Sequence, residues 1–196
     1  LLGIAAALGS AASWAVGAIL FKRVGEAMSS SGMTLAKGAM SVVLLGIAAA
    51  VVGFMPMDST SLWQLVLSGL IGIAIGDILF FKALQHLSAV AMLVLMVVGY
   101  VLTTLLALVF LHEMPSPTEW AGMICIMAGV CVTLSADMAG EKQANTWSGV
   151  MFGLGSVVCM SLSMIMIKGP VEQLPSLQAT FVRMAAGERR ELSSPA

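Results

Sequence analysis

The stretch GLIGIAIGDILFFKAL, residues 69–84, decides how the chain is read. It has the apolar character of a membrane-spanning helix, yet Asp77 lies inside it. Residues 59–76 carry no charge, and the apolar run continues past Asp77 to Lys82. A span requires about 20 mostly apolar residues. Working outward, residues 1–21 and 38–57 are uncharged, residues 87–111 and 120–136 form further apolar runs, and a sixth lies within 143–167. Short polar turns separate them, so neighbouring helices are expected to be antiparallel. The chain is 59% hydrophobic and 10% charged, with a mean hydropathy of +1.02. A soluble domain holds about 45–50% apolar and about 25% charged residues. Lipid is therefore the main solvent. Beta-barrel strands would alternate over about ten residues, and no such pattern occurs. The expected fold class is all-α, a polytopic membrane helix bundle.

Several chemistries are disfavoured by composition. A net charge of −1 gives no basis for nucleic-acid binding. Cys125, Cys131 and Cys159 fall in apolar runs, without CxxC spacing or an adjacent His, so neither a metal site nor a disulfide framework is expected. The sixteen methionines read as flexible gap-fillers. No cofactor is implied. No Ser/His, paired-Asp or HExxH constellation is present, so the chain is not read as an enzyme. Trp63, Trp120 and Trp147 stand at span starts, where they read as interfacial anchors. Small residues recur every fourth position, as in Ser68, Gly72 and Gly76 or Gly155, Cys159 and Ser163. Such lanes let membrane helices approach closely.

The chain also repeats itself. Shifted by 146 residues, positions 3–41 align with 149–187 without a gap, with ten identities in 39. Lys22 matches Lys168, Glu26 matches Glu172, and Lys37 falls opposite Arg183. The repeat unit holds five spans. An odd number sends a second copy into the membrane in the opposite orientation, and inverted repeats are a transporter signature.

The segments SAASWAVGAILFK, GLIGIAIGDILFFKALQHLSAVAMLVLMVVGYVLTTLLALVFLHE and EWAGMICIMAGV resemble the drug/metabolite transporter superfamily, EamA type. The Gly-Asp-x3-Phe-x-Ala-Leu…Ser-Ala run, Glu113 closing the fourth span, and Gly122 and Gly129 in the fifth follow the family pattern in order. The resemblance implies ten helices in two inverted five-helix repeats that export or exchange small metabolites or drugs. It divides the chain into a first repeat at 1–136, a linker at 137–147, the start of an inverted second repeat at 148–187, and a polar tail at 188–196. We read the chain as a fragment cut short in its second repeat. Its expected partners are the lipid bilayer, a small-molecule substrate, and a homo- or hetero-dimer mate supplying the rest of that repeat. It is expected in the plasma or inner membrane. The alternative is a non-transporting membrane module that assembles with or regulates another membrane protein.

Asp77, Lys37, Arg183, Trp14 and Tyr100 are the residues placed at a substrate cavity or coupling site. Asp77 reads as a proton- or cation-coupling carboxylate. It reads equally as an interfacial acid near the membrane edge, paired with a Lys or a helix terminus. Lys37 and Arg183 form a repeat-related pair of cations suited to anionic or zwitterionic metabolites, or else snorkel to the headgroups. Trp14 and Tyr100 are mid-span aromatics that line a cavity or pack in the core. Lys22 and Lys168 end their helices, where a cation suits the dipole. Turns one, three and five hold Lys22, Arg23, Lys82 and Lys142, so the positive-inside rule places them in the cytoplasm. The family's usual cytoplasmic N-terminus implies the opposite orientation.

Overall fold

A computed structural model describes the backbone of residues 2–112, 114–140 and 146–193, and their side chains except at 2, 7, 134–140, 146 and 189–193. Glu113 and Lys142 lie outside the described residues. The described chain forms helices α1 (Leu2–Val24), α2 (Ser30–Val52), α3 (Ser59–His86), α4 (Ala89–Phe110), α5 (Pro117–Gly140), α6 (Thr146–Gln173) and α7 (Ser176–Ser193). No strand occurs among the described residues. Five of the helices, α1 to α4 and α6, are long and apolar enough to cross a membrane.

Local chemistry sets the helix starts. Ser29, Asp58 and Ser88 each accept a hydrogen bond from a first-turn backbone N–H of the helix they precede. The hydrogen bonds that Asp58 accepts hold its carboxyl below the usual carboxylate range. At α5, Ser116 and Glu119 bond each other's backbone N–H groups around Pro117, a capping box with proline at the first helical position.

The expected end of α3 at Lys82 is too early. The helix runs to His86, and Lys82 through His86 form its last turn rather than a loop. Lys22 completes that end. Its ammonium donates to the carbonyls of Leu84 at 2.7 Å and Leu87 at 2.8 Å, satisfying acceptors left open at a helix C-terminus. Gln85 fixes the same end to the α1–α2 turn, donating to Met28 O and accepting from Ser30 Oγ. Lys168, the repeat mate of Lys22, does not end its helix, because α6 continues through Pro170 to Gln173. The seventh helix likewise runs past Gly187 to Ser193.

Inside α3, residues Leu70–Ile75 take a π-helical register. Such widened turns disturb the i→i−4 ladder. Two α6 serines bracket the segment: Ser163 Oγ donates to Ser68 O at 2.8 Å, and Ser156 Oγ donates to Gly76 O at 2.8 Å. A third, Ser161, donates to Gly99 O of α4 at 3.1 Å. Helices α3 and α4 thus hold α6 by hydroxyl–carbonyl bonds, and α3 and α2 hold α7. Glycines make room for this. A Cβ at Gly72 would fall 2.6 Å from Ser163 Cβ, and one at Gly69 would fall 3.0 Å from Arg183 Cα. On α7, buried Gln178 clamps the loop after α2, donating to Met55 O and accepting from Met55 N. Phe80, Phe81, Leu84, Met92 and Leu95 form the apolar centre. Ile4, Leu8, Val43, Leu44, Val109, Ile124 and Val132 stay exposed, as lipid-facing residues should.

The repeat is visible in local detail. Thr34 Oγ1 bonds Ser30 O in α2, and its mate Thr180 Oγ1 bonds Ser176 O in α7.

Three stability outcomes follow from these contacts. Gly72→Val is expected to destabilise the bundle by about 1–3 kcal/mol, because overpacking separates α3 from α6. Gly122→Val, with open space at its Cβ, leaves the thermal midpoint in detergent unchanged. Lys22→Met removes the cap on α3 and should cost roughly 1–2 kcal/mol, read in the same melt.

Candidate functional site

The inward face of α2 carries Ser30, Met33, Thr34 and Gly38, all buried. Lys37 lies four residues after Met33 and seven after Ser30, so helical periodicity turns it to the same face. On α3, Asp77 and Phe81 are four residues apart and share one stripe. The two helices meet there. Lys37 Nζ forms an ion pair with Asp77 Oδ2 and sits 5.9 Å from the centroid of the Phe81 ring. The pair is enclosed: the side chains are 18% and 4% exposed.

Asp77 is therefore well inside α3. It lies nine residues before His86, roughly 14 Å along the helix at 1.5 Å per residue. The shallower sequence estimate took Lys82 as the boundary. Lys82 has a long stem, and its ammonium reaches the Phe152 ring at 5.7 Å while its backbone stays helical.

Arg183 comes to the same place from α7. Its Nη2 donates to Ser163 Oγ at 3.0 Å, and that hydroxyl donates onward to Ser68 O. The guanidinium and the Asp77 carboxylate are close enough to feel each other's charge. Arg183 Nε is buried and has no hydrogen-bond partner. The three charges thus sit among α2, α3, α6 and α7, beside the π-helical segment. Lys37 and Arg183, matched in the repeat, reach the same part of α3, Lys37 at Asp77 and Arg183 beside Gly72.

Trp14 and Tyr100 do not join this cluster. Trp14 is 40% exposed on α1, and its ring lies 5.9 Å from Phe80. Tyr100 is 72% exposed on α4. It lines a separate cavity of about 820 Å³ with Met123 and Ile126 of α5 and Met164 and Lys168 of α6. No group of three or more metal-ligating side chains gathers among the described residues.

Sequence reasoning passed over Ser163 and Phe81. Ser163 stood only as one member of a small-residue lane. A hydroxyl where the repeat mate is Gly17 was the available signal. Phe81 was legible from its i, i+4 relation to Asp77.

Residues 1–135 match the EamA-like transporter family. No curated protein and no solved structure matches the chain. The family match spans more than half of the sequence, and the helices, the repeat and the apolar surface agree with it. The chain belongs to the EamA-like transporter family, whose members are integral membrane proteins that carry small molecules.

Proposed function

We propose that the protein is a secondary carrier that exports or exchanges small metabolites or drugs by alternating access. The two inverted repeats move against each other around the Lys37–Asp77–Arg183 cluster, and Asp77 couples the movement to protons.

One observation carries this reading. Lys37 of α2 is ion-paired with Asp77 of α3, and its repeat mate Arg183 reaches the same stretch of α3 from α7, beside Gly72 and Ser163. An acid at the centre of a membrane helix costs roughly 2.5–3.5 kcal/mol on insertion scales, so its place there calls for a partner or a function. Here the nearby cations come from both repeats. Any rocking of α6 and α7 across α3 changes the distance from Arg183 to Asp77 while Lys37 stays with α2. A proton on Asp77 removes the attraction to both cations and frees the helices to shift. Loss of that proton draws them together again.

The test uses proteoliposomes loaded with a pH-sensitive dye and challenged with a panel of metabolites. The wild-type protein is expected to give solute-driven proton flux with at least one of them. Asp77→Asn should lower that flux at least about tenfold, the scale of one lost charged contact. Transport by Asp77→Asn with unchanged rate and pH dependence would remove Asp77 from the coupling mechanism.

A further inference from the structure

We propose that the cavity between α4, α5 and α6 is a groove for one phospholipid with a primary ammonium headgroup, of the phosphatidylethanolamine class. The proposal does not depend on the transport reading. It rests on the shape of the cavity, its length and the residues at its rim. The volume, about 820 Å³, is in the range of ligand sites.

Three helices make the groove. Helices α4 and α6 lie side by side and run the same way. Gly149 of α6 lies against Leu87, just before α4, then Gly153 lies against Leu95, and Ser161 bonds Gly99 O. Helix α5 packs on α4, and space is left between α5 and α6. Gly122 of α5 lines that space, and a Cβ there would meet nothing within 4 Å.

The length matches one leaflet. On α4 the lining runs from Tyr100 to Leu111, roughly 16 Å at 1.5 Å per residue. Half of a bilayer's hydrocarbon core is roughly 15 Å. The groove therefore starts at the end of α4 and stops near its middle. Tyr100 and Thr103 stand at the inner end. Between the two ends lie Ala107, Ile126, Met164 and Ile167. Thr104 turns its hydroxyl back to Tyr100 O, so it adds little polarity to the wall. Methionine side chains adapt readily to a flexible chain.

The rim selects the headgroup. The charged side chains of the lining, Glu119, Lys168 and Glu172, all stand at the outer end, where headgroups lie. Lys168 is already engaged. Glu119 commits Oε2 to the capping box of α5, and Glu172 is exposed. The rim thus presents two carboxylates. A primary ammonium donates charge-assisted hydrogen bonds to such groups. A trimethylammonium headgroup has no N–H to donate, and an anionic glycerol headgroup brings like charge to Glu119 and Glu172. A free aromatic amine carries the right head but does not fill a groove one leaflet long.

The experiment places the full chain in nanodiscs of phosphatidylethanolamine, phosphatidylcholine and phosphatidylglycerol, in equal amounts and with identical acyl chains. The protein is then extracted into mild detergent, and the phospholipid retained per chain is measured by mass spectrometry. Wild type is expected to retain phosphatidylethanolamine at least about threefold above either other lipid, the scale of one exposed charged contact. Glu172→Gln, at an exposed position, should bring the three lipids close to parity while lipid stays bound. Gly122→Trp fills the groove from α5, and Ala107→Phe fills it from α4. Each should lose the retained lipid, with folding checked by the thermal midpoint. Excess 2-phenylethylamine should leave the lipid in place. Absence of retained lipid, a preference for either other lipid, a preference that survives Glu172→Gln, full retention by a folded groove-filling variant, or displacement by 2-phenylethylamine overturns the assignment. None of these results touches the transport reading, which is tested by proton flux through Asp77.

Discussion

The Lys37–Asp77 ion pair is the constraint on which the rest of the bundle depends. Neither charge is tolerable alone in a lipid-solvated interior, where Coulomb attraction is strong and water is scarce. Together they tie α2 to α3 at one point along each helix. Phe81 closes the space below Lys37, and the Phe80–Phe81–Phe21 contacts bring α1 onto the same wall of α3. The register of the first three helices is therefore set by one electrostatic contact and the aromatic ring beside it. Breaking either half leaves a charge with nowhere to go.

Around that point, packing proceeds without a hydrophobic drive between helices, because lipid tails are as apolar as Leu side chains. Small residues and hydroxyls do the work instead. Gly69, Gly72 and Gly187 let α6 and α7 lie close on α3, and Ser156 and Ser163 bond its carbonyls at both ends of the π-helical segment. That closeness is what brings Arg183 within electrostatic range of Asp77. Steric and electrostatic constraints are thus one constraint. A side chain at Gly69 would push away the backbone of Arg183 itself.

Much of this was legible in the sequence. Apolar runs located six of the seven helices, because a span in lipid must satisfy its own backbone and has few alternatives to a helix. The repeat paired Lys37 with Arg183 before any distance was known. The errors share a cause. Lys82 and Lys168 were both taken as helix ends, yet a lysine stem can carry its charge away from the backbone that bears it. The end of α3 was decided by tertiary contacts from Lys22 and Gln85, which no local signal announces. The π-helical turn and the role of Ser163 were hidden for the same reason. Trp14 and Tyr100 were placed with the charges on chemistry alone, and nothing in a linear pattern says which side of a helix faces lipid when both sides are apolar.

Comparison of α1 with α6 separates what a repeat copies from what it cannot. The threonine back-bonds of α2 and α7 are the same in both copies, because each is made within one helix. The serine contacts are not. Ser156 is fully buried and bonded to Gly76 O, while its mate Ser10 is exposed on α1. Sequence similarity carries over local geometry, whereas burial depends on the neighbour. The charged cluster belongs to the second kind. Lys37 and Arg183 occupy equivalent places in their helices, but one is paired with Asp77 while the other spends one nitrogen on Ser163 and leaves Nε empty. Two equivalent cations in unequal contacts beside one stretch of α3 make an asymmetric arrangement of symmetric parts. A relative movement of the repeats that exchanged those contacts would need no new residues.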